Sequence, residues 1–270
     1  MDYHAFGHSL IPSSPHTRTM CGELDGRKIW IKLPVPPKAR IWHHLQRILA
    51  SALGKPILRY TVSPGGGESL YKEADRLCAF KESGFHVPDV LGVYDDMMVL
   101  SDAGPQLRET LDKTKDLQTR TALLKTAMLE MARLHAKGLA HGRPYMRDMT
   151  WDGTRIGFLD LEEDPVRVMP LSTAQARDIW IFLSAASRFS RVPGDKLRYE
   201  GPLISDLLTT YREQADPKTM QELNNLVHFL KPVRKMLDRS WLWGKIGTDA
   251  RQSVYVNRCL ERDLGSSSAS

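Results

Sequence analysis

The sequence predicts an α+β fold with two lobes, a strand-rich first part followed by a helical second part. Up to about residue 100, short alternating segments are bounded by Gly, Pro and Asp turns. From Ser101 onward the apolar residues recur at helical spacing. The 270 residues suffice for two lobes that share a cleft. We therefore predict an N-terminal lobe over 1–100 with an insertion over 34–67, a helical C-terminal lobe over 101–263, and a disordered tail over 264–270.

Composition narrows the class of protein. The formal net charge of +6 suits anionic ligands such as nucleotides, phosphosugars or a membrane surface, but the charge by itself favours the simpler explanation of solubility. Cys21, Cys78 and Cys259 lie far apart, which argues against a disulfide framework and against a zinc site. The first thirty residues lack the apolar core of a signal peptide, and no apolar stretch is long enough to span a bilayer. We expect a cytoplasmic protein.

The first lobe is predicted from its turns and apolar spacing. Asp25-Gly26 predicts a tight turn before a strand over 29–33, and the prolines that follow end that strand. A basic amphipathic helix is predicted over 38–53; it either packs on the lobe or lies on an anionic surface. A second helix is expected over 68–82, and two strands over 90–93 and 97–100.

The second lobe begins with a long helical pattern over 117–137. Short loops and strands follow from His141 to Leu161. Apolar spacing then predicts four further helices, over 173–188, 205–213, 218–230 and 248–261.

Two charged residues of the first lobe are candidates for a shared site. Lys32 ends the predicted strand 29–33, and Glu73 lies three positions after Leu70 in the helix 68–82. Glu73 faces inward if the apolar stripe of that helix does. The ordinary alternatives are a surface lysine on an edge strand and an exposed helix carboxylate.

Two further candidates follow the long helix. The segment 135–143 reads His-Ala-Lys-Gly-Leu-Ala-His-Gly-Arg, and Asp148 comes five residues after Arg143. Asp160 stands twelve residues after Asp148, at the end of a short strand that leads into Leu161-Glu162. Two carboxylates on a loop and a strand end can converge on Mg²⁺, which takes few protein oxygens.

In this order the four features resemble the protein-kinase-like superfamily. There a strand lysine holds the nucleotide phosphates, a helix glutamate orients it, and a His-x-Asp motif is followed by Asn. His135 and His141 match the histidines of this pattern, and Asp148 stands at the asparagine position. Arg143 stands where the catalytic aspartate is expected. Asp160 resembles the metal-binding aspartate of the Asp-Phe-Gly motif, which reads Asp-Leu-Glu here.

The resemblance covers about residues 20–185 and is most specific over 138–162. The segment between Glu162 and the helix predicted at Thr173 is too short for the activation segment that docks a peptide. The layout resembles the bacterial lipopolysaccharide-kinase-like group, whose members phosphorylate heptose or Kdo of the inner core. Asp178 resembles the buried helix aspartate that holds the catalytic loop, and we assign it a structural role.

The resemblance implies a two-lobed protein-kinase-like fold with ATP and Mg²⁺ as cofactors. It assigns nucleotide binding to Lys32, Glu73, Leu100 and Asp102, metal binding to Asp148, Asp160 and Glu162, and catalysis to Asp148, Arg143 and His141. The expected partners are a nucleotide and a small-molecule or glycolipid acceptor. We expect no nucleic acid, and allow a peripheral contact with the inner membrane.

Arg143 leaves the activity open, because a guanidinium group with a pKa above about 12 cannot act as a base. Asp148 or Asp152 could replace the missing base, and Arg143 and Arg147 could neutralise the transferred phosphate or bind an acidic acceptor. The alternative is a pseudokinase, a binding or regulatory module.

Arg143 is one departure from the pattern of the superfamily. A second is the missing glycine-rich loop before Lys32, of which only Cys21-Gly22-Glu23 remains. Gly65-Gly66-Gly67, just ahead of a helix, either binds phosphate in its place or serves as a hinge that closes the insertion.

Overall fold

The computed structural model describes residues 2–11, 17–34, 65–239 and 243–265, and these form the mixed α and β fold that the sequence predicts. The strands are β1 (Thr19–Leu24), β2 (Arg27–Lys32), β3 (Val90–Val93), β4 (Met98–Ser101), β5 (Met149–Trp151) and β6 (Ile156–Phe158). The helices are α1 (Tyr3–Leu10), α2 (Gly66–Glu82), α3 (Leu107–Lys113), α4 (Leu117–Ala136), α5 (Leu171–Ala186), α6 (Leu203–Arg212), α7 (Pro217–Leu237) and α8 (Thr248–Gly265).

The chain divides into two compact units. The first comprises Met1–Leu107 with Asp148–Val168, and the second comprises Arg108–Arg147 with Met169–Ser270. The segment Asp148–Val168 thus packs in the strand-rich unit, although it follows the first helices of the other unit in the sequence. The predicted helix over 38–53 and the tail beyond 265 lie outside the described residues.

The first unit is built on an antiparallel sheet in the order β1-β2-β4-β3. The β1–β2 hairpin closes through Asp25 and Gly26, whose φ angles are 52° and 73°. Positive φ at both central positions is what a type I′ turn requires. The predicted Asp-Gly turn is therefore confirmed.

Helix α1 packs on this sheet and was not predicted from the sequence. A Cβ atom at Gly22 would lie 2.9 Å from the Phe6 ring, and one at Gly7 would overlap the sulfur of Met97. Glycine at both positions therefore lets the helix approach the sheet closely. The buried apolar side chains beneath it are Met20, Ile29, Ile31, Met97 and Val99.

The β5–β6 hairpin is joined to α2 by an aromatic cluster. The rings of Phe80, Phe85 and Phe158 lie about 6 Å apart, and two of the three pairs are edge-to-face. The Phe158 amide also donates to the His86 carbonyl at 2.9 Å. These contacts fix the position at which the chain leaves β6, two residues before Asp160.

The second unit is helical. Helix α5 packs on α7, α8 on α7, and α4 on α6. Asp116 and Asp216 cap α4 and α7 by accepting backbone N–H bonds at 2.7 and 2.9 Å. Helix α7 continues through Pro232 to Leu237, so it is longer than the predicted 218–230. Across the described residues, none of the helices is both long and apolar enough to cross a membrane.

Candidate functional site

Lys32 lies at the centre of a buried ionic contact in the first unit. Its Nζ donates to Glu73 Oε1 and to Asp160 Oδ1, both at 2.6 Å. Lys32 is 7% exposed and Glu73 only 1%. Three residues that are 41 and 128 positions apart in the sequence thus meet at one ammonium group.

Local structure explains how each of the three side chains reaches this point. Lys32 is the last residue of β2 and pairs with Met98 of the neighbouring strand. Glu73 lies on the buried face of α2 with Leu70, as expected from the apolar stripe. Asp160 has a φ of 54°, a left-handed conformation that is uncommon for any residue except glycine. Such backbone strain is concentrated at functional sites.

Burial and charge act in opposite directions on these groups. Burial disfavours the charged form of Lys32, but Glu73 and Asp160 outweigh it and raise the pKa of the ammonium group. Burial is also the largest influence on Glu73 and raises the pKa of its carboxyl, although Lys32 opposes this. Among the described residues, Glu73 Oε2 has no hydrogen-bond partner.

Glu73, Asp160 and Glu162 form a cluster in which one carboxylate oxygen from each lies within 4.8 Å of the others. Arg18 Nη2 contacts Glu162 Oε2 at 2.7 Å. Three carboxyl-bearing side chains and, among the described residues, one buried oxygen without a hydrogen bond fit a hard divalent cation such as Mg²⁺.

Arg18 and Arg76 are site residues that sequence reasoning missed. Arg76 extends from α2 and donates to the carbonyl oxygens of Leu161, at 2.7 Å, and Glu163. It therefore fixes the backbone on either side of Glu162. Arg76 lies three positions after Glu73, on the next turn of the same helix, which is the one sequence signal that could have identified it.

Asp148 and Asp152, the two candidate bases, have different surroundings. Asp148 is 7% exposed, and its carbonyl accepts the Leu159 amide at 2.8 Å, next to Asp160. It lies outside the three-carboxylate cluster, so its assignment as a metal ligand stays a prediction. Asp152 Oδ1 accepts the Thr154 hydroxyl and amide, at 2.7 and 2.8 Å. These bonds hold the pKa of Asp152 well below its usual range, which makes it a weak base.

Leu100 and Asp102, both assigned to nucleotide binding, lie at the end of β4 and just beyond it. Leu100 is buried and pairs with Trp30 across the sheet. Asp102 accepts a bond from Trp30 Nε1 at 2.7 Å and lies 3.0 Å from Lys28 Nζ. Burial opposes ionisation of Asp102, but these two donors outweigh it and lower its pKa.

In the second unit, Asp178 holds the backbone of the segment that contains His141. Its carboxylate accepts the amides of His141 and Gly142 at 2.6 and 2.9 Å. Burial of Asp178 is complete and would raise its pKa, but His135, His141 and Arg177 outweigh it and lower the pKa. The structural role predicted for Asp178 is confirmed.

The side chains of Gln175 and His135 also support the segment that contains His141. Gln175 Nε2 donates to the carbonyls of His135 and Leu139, at 2.9 and 3.0 Å, and its Oε1 accepts the Thr219 hydroxyl. His135 Nδ1 contacts the Tyr211 hydroxyl at 2.7 Å. The turn that leads to Arg143 is therefore held from α5, α6 and α7.

The second unit also contains a basic cavity of about 500 Å³. Tyr145 and Arg147, which follow Arg143 closely in the sequence, line it together with Trp180. Its other cationic lining residues are Arg108, Arg188 and Arg191, and Asp249 is the acidic one. Arg188 and Arg108 both contact Asp112, at 3.0 and 3.8 Å. Such a cavity suits an anionic ligand.

The triple glycine Gly65-Gly66-Gly67 begins α2. Gly65 and Gly66 have φ angles of 73° and 65°. A Cβ at Gly67 would lie 2.6 Å from the Asp95 carbonyl oxygen. Close packing on the turn at Asp95 therefore accounts for Gly67 without a bound phosphate.

Comparison with known proteins identifies a relative but does not assign a family. No protein-family model matches the chain. An uncharacterized protein of Haemophilus influenzae (strain Rd) is 30% identical over 162 residues, which are 60% of this chain and 60% of that protein. The match thus spans only about three-fifths of the length of this curated relative.

Proposed function

We propose that the chain is an ATP–Mg²⁺-dependent phosphotransferase of protein-kinase-like fold. Its acceptor is a small molecule or a sugar of the lipopolysaccharide core. The observation that carries this proposal is the contact of Lys32 with both Glu73 and Asp160 at 2.6 Å. A strand lysine, a helix glutamate and an aspartate after a short strand are the groups that a nucleotide–metal site of this kind uses.

Each side chain has a role that follows from its contacts. Glu73 is buried and orients Lys32, whose ammonium group binds phosphate oxygens of the nucleotide. Asp160 and Glu162 are less buried and supply the carboxylates for Mg²⁺, which neutralises phosphate charge when bound. Arg76 keeps the backbone around Glu162 in place.

Asp148 is the better candidate for the base, because the hydrogen bonds within the turn at Asp152 lower the pKa of Asp152 and make it a poor proton acceptor. Arg143 cannot accept a proton. Phosphoryl transfer depends chiefly on positioning and charge neutralisation, and general-base help is typically worth only about 10²- to 10⁴-fold. A slow kinase is therefore compatible with Arg143 at this position.

The arginine-lined cavity supports an acidic acceptor. Arg147 stacks on Tyr145 at 5.0 Å, and Trp180 offers a further aromatic surface. Arginines pair with phosphate or carboxylate groups in bidentate fashion, and aromatic rings pack on the apolar faces of other groups. A phosphorylated or acidic sugar combines these features.

The second candidate function is a pseudokinase that binds nucleotide without transfer. Gly22, which remains of the expected phosphate loop, faces Phe6 and Leu10 of α1. That glycine serves helix packing, and Arg143 replaces the usual base. Both observations favour a regulatory module.

A transfer assay separates the two functions. Purified protein with γ-labelled ATP, Mg²⁺ and a bacterial envelope extract should label a non-protein product. Lys32→Ala and Asp160→Asn should abolish labelling, whereas Asp75→Asn, on the exposed face of α2, should not. ATP binding without any labelled product would contradict the kinase and support the pseudokinase.

A further inference from the structure

Two histidines of α1 and one aspartate of the first unit converge on a point that none of the proposed nucleotide- and metal-binding residues shares. His4 and His8 are one helical turn apart, and Asp96 lies in the turn between β3 and β4. His4 Nε2 is 3.1 Å from Asp96 Oδ1, and His8 Nε2 is 3.0 Å from Asp96 Oδ2. The two Nε2 atoms are 3.3 Å apart.

We propose that His4, His8 and Asp96 bind a divalent transition-metal ion of the Zn²⁺ class. Ligand atoms on a tetrahedral ion with bonds of about 2.0–2.1 Å lie roughly 3.3 Å from one another. The two Nε2 atoms are 3.3 Å apart, which matches such an edge, and each contacts its own oxygen of Asp96, at 3.1 Å for His4 and 3.0 Å for His8. One ligand atom from each of the three side chains lies within 4.8 Å of the others. Two imidazoles and a carboxylate are ligands that Zn²⁺ accepts, with a fourth position open to water.

The packing of α1 on the sheet explains why the three groups converge. Gly7 brings the helix against Met97, the residue after Asp96. The Tyr94 ring lies 4.3 Å from the His4 ring and supports it on one side. Because both elements are docked independently of the ion, the ligands are brought together before binding. A bound ion would then fasten α1 to the β3–β4 turn.

The ligand chemistry separates this site from the carboxylate cluster at Asp160. That cluster offers only oxygen ligands, which suit Mg²⁺, whereas imidazole nitrogen favours transition metals. The wide spacing of the three cysteines argues against a zinc site built from thiolate ligands, but it does not bear on a site built from histidine and aspartate. The two sites can therefore be tested with different ions.

The test is Zn²⁺ titration of the full-length, metal-stripped protein by calorimetry, beside the variant His4→Ala/His8→Ala. Wild type should bind one more Zn²⁺ ion per chain than this variant. Zn²⁺ bound elsewhere on the chain is common to both proteins and cancels when the two stoichiometries are subtracted. The conservative variant Asp96→Asn should weaken binding by at least about tenfold, since an ionised ligand is lost. His228→Ala, an exposed histidine on α7, should match wild type.

Two further measurements distinguish the proposed site from Zn²⁺ bound elsewhere on the protein. Co²⁺ should give wild type, but not the double variant, a d–d absorption spectrum that reports its coordination geometry. Zn²⁺ should raise the melting temperature of wild type and of Asp160→Asn, but not that of the double variant. Equal Zn²⁺ stoichiometry and affinity in wild type and double variant would overturn the site. Full affinity in Asp96→Asn would overturn the three-ligand assignment.

Discussion

Replacing Lys32 by methionine tests the energetics of the buried contact. The substitution keeps most of the side-chain length and removes the charge between Glu73 and Asp160. Removing one partner of a buried ion pair costs about 3–5 kcal/mol, because the other charge stays buried. Asp160 is partly exposed and can be hydrated, so the penalty falls mainly on Glu73. Allowing for the apolar methionine, we expect the free energy of unfolding to fall by about 2–4 kcal/mol in urea titrations.

The free energy of unfolding of Lys32→Met should also depend on pH, and the direction of this dependence follows from the pKa of Glu73. Burial already raises the pKa of Glu73, and loss of Lys32 removes the main opposing influence. The folded state then binds a proton that the unfolded state releases above about pH 4.3. The free energy of unfolding therefore falls as pH rises from there to the folded-state pKa, by up to about 1.4 kcal/mol per pH unit. Adding Glu73→Gln should remove this slope and restore part of the stability.

Lys72→Met is the matched control. Lys72 lies on the surface of α2 and pairs with Glu68, which is 67% exposed. Exposed pairs of this kind contribute at most about 1 kcal/mol, so the control should change stability little at any pH. A Lys32→Met variant within 1 kcal/mol of the control, or one without a pH slope, would refute the reasoning.

The remaining predictions concern the supports of the site. Asp178→Ala leaves two buried amides without an acceptor at about 1–3 kcal/mol each, so urea unfolding should show a loss of about 2–6 kcal/mol; a loss as small as that of Asp206→Ala, which removes a partly exposed carboxylate, would contradict this. Gly157→Ala would overlap the Thr150 hydroxyl and should cost about 1–3 kcal/mol in thermal unfolding, and an unchanged melting temperature would show that the hairpin has room. Arg76→Met should weaken Mg²⁺-dependent ATP binding, measured by calorimetry, because the backbone around Glu162 loses two hydrogen bonds; wild-type affinity would remove Arg76 from the site.

The sequence predicted those features of the fold that depend on residues adjacent in the chain. The Asp25-Gly26 turn followed from backbone preference, and the inward position of Glu73 followed from the apolar stripe of α2. In both cases a few adjacent residues carry the information. The structural role of Asp178 followed instead from a motif resemblance, because its carboxylate accepts amides that are 36 and 37 positions away in the sequence.

Contacts between distant segments were not predictable in this way. Helix α1 is only eight residues long, with Tyr3, Phe6 and Leu10 at helical spacing, and its position depends on Gly7 and Gly22 fitting against the sheet. The pairing of Arg18 with Glu162 joins residues that no local pattern relates. The carboxylate cluster brings Glu73 together with Asp160 and Glu162, a contact between α2 and the segment after β6 that no spacing along the chain specifies.

The central claim is a nucleotide–metal site at Lys32 and Asp160. Its most direct test is a thermal-shift titration of wild type, Lys32→Ala and Asp160→Ala with ATP, with and without Mg²⁺. Binding to the folded state must raise the melting temperature. The account predicts a Mg²⁺-dependent rise for wild type that both variants lose and that Asp75→Asn retains. An equal rise in all four proteins, or no rise in wild type, would contradict it.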